Sequence, residues 1–229
     1  MRRYVAIASL LAGCSAQTDA PSSPAQSPAP RHVGVTGRCE DPAPGGGGAE
    51  GCYLNTTVRL NPAPDRVYWH IDRFANSSSA ERARIAGSEV VIGSGGQVFL
   101  QTVNGSAAWR AAGGERLATI GPIALPGGRD FTARMMEATT SSAAATHPHV
   151  HSGPEAFFLL AGSICVETPA GPHRAGPGGS LVLPGRTPMQ LHSAGDTVRR
   201  SLVLVVHPTN EEWIDRRPRW TPTGACSRR

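Results

Sequence analysis

Between residues 116 and 207, short apolar runs alternate with turns built from Gly and Pro, and no stretch there keeps a helical period. That punctuation constrains the fold more than any other feature, because it makes strands of a few residues that must reverse repeatedly. Eight runs qualify: Arg116 to Ala124, Asp130 to Ala138, Thr146 to His151, Glu155 to Leu160, Ile164 to Thr168, Leu181 to Leu183, Met189 to His192 and Arg199 to His207. Eight short strands predict a closed barrel or a two-sheet roll, with room inside for one small ligand or metal. The strands are short, and the unbroken apolar run Leu202 to Val206 reads as buried, which argues against a bilayer-spanning barrel. The 27 Gly and 20 Pro suit such a fold, while 5% aromatic residues and 17% charged residues do not suggest a helical bundle.

Residues 52–110 read as a smaller strand–helix–strand–strand module. Val58 to Leu60 and Arg66 to Ile71 are strand-like, and Ser78 to Ala86 reads as a helix with a Ser78-x-x-Glu81 capping box and a stop at Gly87. Glu89 to Ile92 and Gln97 to Val103 flank a Gly-rich turn and predict a hairpin. The Tyr68-Trp69-His70 cluster is expected to pack on the barrel or on another subunit.

The first 51 residues carry an address rather than a fold. Met1-Arg2-Arg3 is followed by a mostly apolar run to Leu11, too short for a permanent membrane span, so residues 1–13 read as an export signal. Leu11-Ala12-Gly13-Cys14 is similar to the lipobox of bacterial lipoproteins, which implies lipidation at Cys14, an N-terminal membrane anchor and a location in the bacterial cell envelope. Residues 14–51, rich in Pro, Gly and Ser, are expected to be a tether. In an oxidising compartment the remaining cysteines can pair. Cys39 with Cys52 closes a small loop, whereas Cys39 or Cys52 with Cys226 joins the two chain ends, and three pairings of the four are open. For Cys165 a buried inert thiol is expected.

Chemistry concentrates at His147-Pro-His149-Val-His151-Ser-Gly-Pro-Glu155. Side chains alternate along a strand, so three histidines two residues apart share a face, and the Gly-Pro turn returns Glu155 to it. Two imidazoles and a carboxylate make a suitable donor set for a divalent metal. His149-x-His151-x3-Glu155-x6-Gly162 resembles the first motif of the cupin superfamily, and Gly178-x5-Pro184 with Gly185 resembles the second. The resemblance covers residues 116 to 207. It implies a cupin-type β-barrel or jelly roll at 111–208, with 209–229 as a tail. It also implies a metal held by His149, His151 and Glu155, a bound small molecule, and a homodimer paired through the sheets.

The chain departs from that pattern at several points: Ala143 stands where a glycine often opens the first motif, and the glycine of the second motif comes one residue early. Met189 stands where the second motif has its histidine, and His192 has the opposite strand parity and is expected to face away. His147 either replaces the lost ligand or sits beside the ligands at the barrel mouth. Met189, Phe157 and Leu159 are expected to line the pocket, while Phe158 and Leu160 face a second layer. A barrel that has lost its metal is the alternative. The donor set suits Fe, Mn, Zn, Ni or Cu and does not choose among them.

All 22 basic residues are arginine, which excludes Schiff-base and pyridoxal-phosphate chemistry, a complete phosphate-binding P-loop and a kinase-type lysine. The net charge of +5, with pairs such as Arg199-Arg200 and Arg216-Arg217, reads as a solvated basic surface rather than a nucleic-acid interface. Two functions remain open. One is a metal-dependent enzyme, a dioxygenase first and an isomerase or hydrolase next. The other is a binding or sensing module without turnover.

Overall fold

The computed structural model describes residues 31–32, 38–42, 50–127, 129–142 and 144–227. The expected export signal at 1–13, the lipidation site Cys14 and most of the tether at 14–51 lie outside the described residues. The chain opens with β1 (Arg31–His32), β2 (Arg38–Pro42), β3 (Gly51–Leu60) and β4 (Arg66–Phe74), then a short helix, α1 (Ser77–Arg82). Next come β5 (Ser88–Ile92), β6 (Val98–Asn104), β7 (Glu115–Ala124), β8 (Phe131–Thr140), β9 (Ala144–Ala145) and β10 (Val150–His151). The last strands are β11 (Glu155–Ala161), β12 (Ser163–Thr168), β13 (Gly171–Ala175), β14 (Ser180–Leu183), β15 (Gln190–Ala194), β16 (Arg199–Pro208) and β17 (Ile214–Asp215).

The fold is mainly β, a jelly roll carrying a packed module. One sheet runs β1-β9-β15-β12-β13 and the facing sheet runs β14-β11-β16-β8-β3-β2. Between them lie Met136, Phe157, Leu159, Ile164, Val166, Met189, Leu191, Val203 and Val205. The module contributes a third layer, the sheet β5-β6-β4-β7. It packs Val67, Trp69, Ile71, Phe99 and Ile123 against Ala133, Ala156, Phe158, Leu202, Leu204 and Val206.

The six-stranded sheet is therefore buried on both faces, which explains the unbroken apolar run in β16: consecutive residues serve opposite layers. Each such side chain, Phe158 or Leu204 for example, contributes about 1.5–3 kcal/mol by leaving water. As expected, Phe158 and Leu160 face the second layer and Trp69 packs on the barrel.

Several expectations need correction. The strands exchange across the boundary placed at residue 110. β3 pairs with β8 in the barrel sheet, and β7 pairs with β4 in the module. Pairing partners are chosen by long-range packing, which local periodicity does not carry. Strand β2 pairs with β3, so residues 38–42 belong to the fold rather than to a tether.

The helix is also shorter than expected. Its N-cap is Asn76, whose Oδ1 accepts from Ser79 N at 2.9 Å, and Glu81 pairs with Arg84 instead of closing a capping box. Of the expected strand Thr146 to His151, only Val150–His151 is a strand, and β13 and β17 were not expected. Cys39 pairs with Cys52, and Cys165 pairs with Cys226, so Cys165 is not a free thiol.

Candidate metal centre

The centre is built where the two barrel sheets meet. His149 forms an isolated antiparallel bridge with Met189: its N–H donates to the Met189 carbonyl at 3.0 Å, and Met189 N–H donates back at 2.8 Å. His151 begins the turn that Gly153 and Pro154 carry to Glu155. Gly153 is required there by close approach, since a Cβ would lie 1.8 Å from the Val206 carbonyl oxygen. Gly162 ends β11 at φ +64°, a left-handed conformation that favours glycine. Both glycines thus hold the strand that presents Glu155.

His149, His151 and Glu155 are all buried and present one donor atom each within 4.8 Å of one another. The imidazoles are held by their other nitrogens. His149 Nδ1 donates to the His147 carbonyl at 2.9 Å, and His151 Nδ1 donates to the Trp213 carbonyl at 3.0 Å. A carbonyl only accepts, so in each neutral ring the Nε2 carries the lone pair. His151 Nε2 lies 3.6 Å from Glu155 Oε2, an oxygen buried with no hydrogen-bond partner. Two oriented neutral imidazoles around an orphaned carboxylate oxygen fit a divalent cation.

Electrostatics agree. Burial lowers His149 and, together with the neighbouring His149, lowers His151 to about 3, so both rings are neutral at ordinary pH. Burial raises Glu155 to about 8, against the opposing pull of the Arg199 guanidinium. A cation supplies the charge that this carboxylate otherwise lacks.

A cavity of about 200 Å³ opens beside the three donors. Phe157 is among the residues that line it. Met189 and Leu159 do not: both are buried in the apolar layer between the sheets. His147 lines the cavity mouth and is exposed; it stands outside the donor cluster, to which it contributes its backbone carbonyl. His192 lies outside the cavity lining, with Nε2 3.2 Å from Gln190 Oε1, in keeping with its strand parity.

Sequence reasoning missed five contributors, one of them Arg216, which lines the cavity from an exposed position. Arg199 is 3% exposed and lines the cavity, so it is not part of a solvated surface pair. Its partner in that pair, Arg200, bridges to Glu137 at 3.2 Å. Thr140 and the Cys39–Cys52 disulfide also line the wall. Trp213, from the expected tail, stacks on His151 with ring centroids 5.1 Å apart. Strand parity with Val203 and Val205 was the available signal for Arg199; nothing local marks Trp213.

No protein-family model matches the chain, and no curated protein matches it. Among solved structures it is similar to a cupin superfamily protein from Desulfitobacterium hafniense, at 9% identity and TM-score 0.31, over 37% of this chain and 73% of that one. It is also similar to the DMSP lyase DddQ from Ruegeria pomeroyi, at 21% identity and TM-score 0.32, over 41% of this chain and 44% of the lyase. A third is salicylate 1,2-dioxygenase from Pseudoaminobacter salicylatoxidans in complex with gentisate, at 17% identity and TM-score 0.29. That match covers 31% of this chain and 19% of the dioxygenase. The solved structures similar to this chain thus include cupin-superfamily proteins.

Proposed function

We propose that the chain binds a divalent metal through His149, His151 and Glu155 and admits a small molecule to the adjoining cavity. The carrying observation is the clustering of the three donors with both Nδ1 atoms already committed to carbonyls. A divalent metal held there supplies Lewis-acid activation of a substrate oxygen. The chain's own residues hold the imidazoles neutral, turn their Nε2 atoms inward and surround them with Phe157, Leu191 and Val203, which limit access by water. Oxygenase, isomerase and hydrolase chemistry are all consistent with that arrangement, the oxygenase reading first.

The second reading is binding or sensing without turnover. It is favoured by the cavity lining, in which, among the described residues, Glu155 is the only carboxylate and is already a metal donor, so no second carboxylate stands beside it as a general base. Export and anchoring through Cys14 complete the proposal and rest on the Leu11-Ala12-Gly13-Cys14 sequence. Two disulfides support an oxidising compartment.

Elemental analysis of the purified full chain tests the metal reading. Near-stoichiometric divalent metal is expected, lost in the His149→Ala/His151→Ala double variant. A chain that takes up no metal under any loading condition overturns it.

A further inference from the structure

The cavity contains a buried cation that the donor cluster does not use. Arg199 sits at the start of β16, directly opposite Thr140 of β8, and both side chains line the cavity. Its Nε donates to Thr140 Oγ1 at 2.9 Å, and that oxygen is held in turn 2.7 Å from Ser193 Oγ. The guanidinium is thereby fixed by one edge. Its Nη1 is buried and has no hydrogen-bond partner, and Arg199 forms no ion pair among the described residues. Glu155 is the nearby acidic group, but it lies beyond ion-pairing distance and faces His151 instead.

A buried guanidinium with unused N–H donors is costly to a fold unless something completes it. Much of the remaining wall is apolar, with Phe157, Leu191, Val203 and Trp213; Thr146 and His147 also line it, and the other lining cation, Arg216, is exposed to solvent whereas Arg199 is buried. A cavity of about 200 Å³ is below the roughly 300–1,000 Å³ typical of drug-sized pockets, which restricts the occupant to a small molecule.

We infer that Arg199, positioned by Thr140, is the anion-recognition residue of this cavity, and that its ligand is a small carboxylic acid with an apolar body. A guanidinium presents paired N–H donors matched to the two oxygens of a carboxylate, and the match is stronger in a site shielded from water. With two neutral imidazoles and a single carboxylate around a divalent metal, the cavity retains net positive charge, which an acid offsets and an amide does not. This deepens the proposed function and shares its cavity, but the recognition step itself requires only Arg199.

The test is calorimetric titration of the metal-loaded full chain with acetate, isobutyrate and benzoate, each paired with its amide. At least one acid is expected to bind about tenfold tighter than its amide. Arg199→Gln should abolish that preference, and Arg199→Lys should retain part of it. Thr140→Val keeps the charge and frees the guanidinium; it should weaken the acid and spare the amide, and it decides the matter if Arg199→Gln does not fold. An acid preference absent from the wild type, or surviving in Arg199→Gln, overturns the inference. The metal-free His149→Ala/His151→Ala variant separates the two readings. A preference for the acid that persists there supports Arg199 whatever becomes of the metal, and one that disappears with the metal while Arg199 is intact assigns recognition to the metal and overturns Arg199.

Discussion

Trp213 holds His151 twice: its indole stacks on the imidazole at an interplanar angle of 19°, and its carbonyl accepts the ring's Nδ1–H. The short pairing of β10 with β17, His151 opposite Ile214, fixes this clamp, and Arg134 covers the indole from 4.5 Å. A residue outside the expected barrel thus sets the orientation of a candidate metal donor.

Trp213→Ala should therefore weaken metal binding by about 10–100-fold, the usual cost of losing a partner that orients a ligand. Competitive chelator titration measures it. Trp213→Phe keeps a stacking ring and should retain most of the affinity; equal losses in both variants would mean that stacking contributes little.

Met189, just before β15, lies directly across the bridge from His149 and is buried in the apolar layer between the sheets. Met189→His should place a further imidazole beside His149 and tighten metal binding by tenfold or more, read by the same titration. Unchanged affinity would show that this position does not reach the donor cluster.

Gly153→Ala should be among the most damaging single-methyl changes in the chain. Its Cβ would overlap the Val206 carbonyl oxygen, and neither backbone can move without shifting Glu155. A loss of about 3 kcal/mol or more is expected in urea unfolding, with metal binding lost alongside. A variant of native stability would contradict the close approach.

Glu167 gives the pH prediction. Burial opposes its ionisation, but hydrogen bonds from Thr223 Oγ1–H and from the N–H groups of Thr223, Gly224 and Cys226 outweigh that and lower it below its ordinary value. A carboxyl lowered on folding binds fewer protons in the folded state than in the unfolded one. Its stabilisation is complete above the unfolded value near 4.3 and disappears as pH falls through the folded value. Glu167→Gln should be destabilised at pH 7 and converge with the wild type in acid, by thermal unfolding across that range. A constant gap at all pH values would refute it.

The sequence carried the donor cluster because strand alternation alone puts His149 and His151 on one face and the Gly-Pro turn returns Glu155. It carried the mainly-β jelly roll because turns are local chemistry. Arg199 was hidden by Arg200: two adjacent arginines look like surface until the six-stranded sheet is seen to be covered on both sides, which sends one to the cavity and the other to Glu137. The exchange of β3 and β7 was not legible, because their partners are β8 and β4 and nothing in either segment names them. The Cys165–Cys226 link, 61 residues apart, depended likewise on where the tail returns.

The sheet covered on both faces also makes Arg199 and Arg200 together a guard of strand alignment. Along β16, Arg199, Val203 and Val205 look into the barrel, while Leu202, Leu204 and Val206 look into the module. Both sets are aliphatic enough that a one-residue slip against β8 would exchange leucines for valines at modest cost. The two guanidinium groups break that near-symmetry, because a slip would take Arg199 from Thr140 and Arg200 from Glu137 at once. Two neighbouring arginines with different partners at the strand's entrance thus tell two similar faces apart as the sheet assembles.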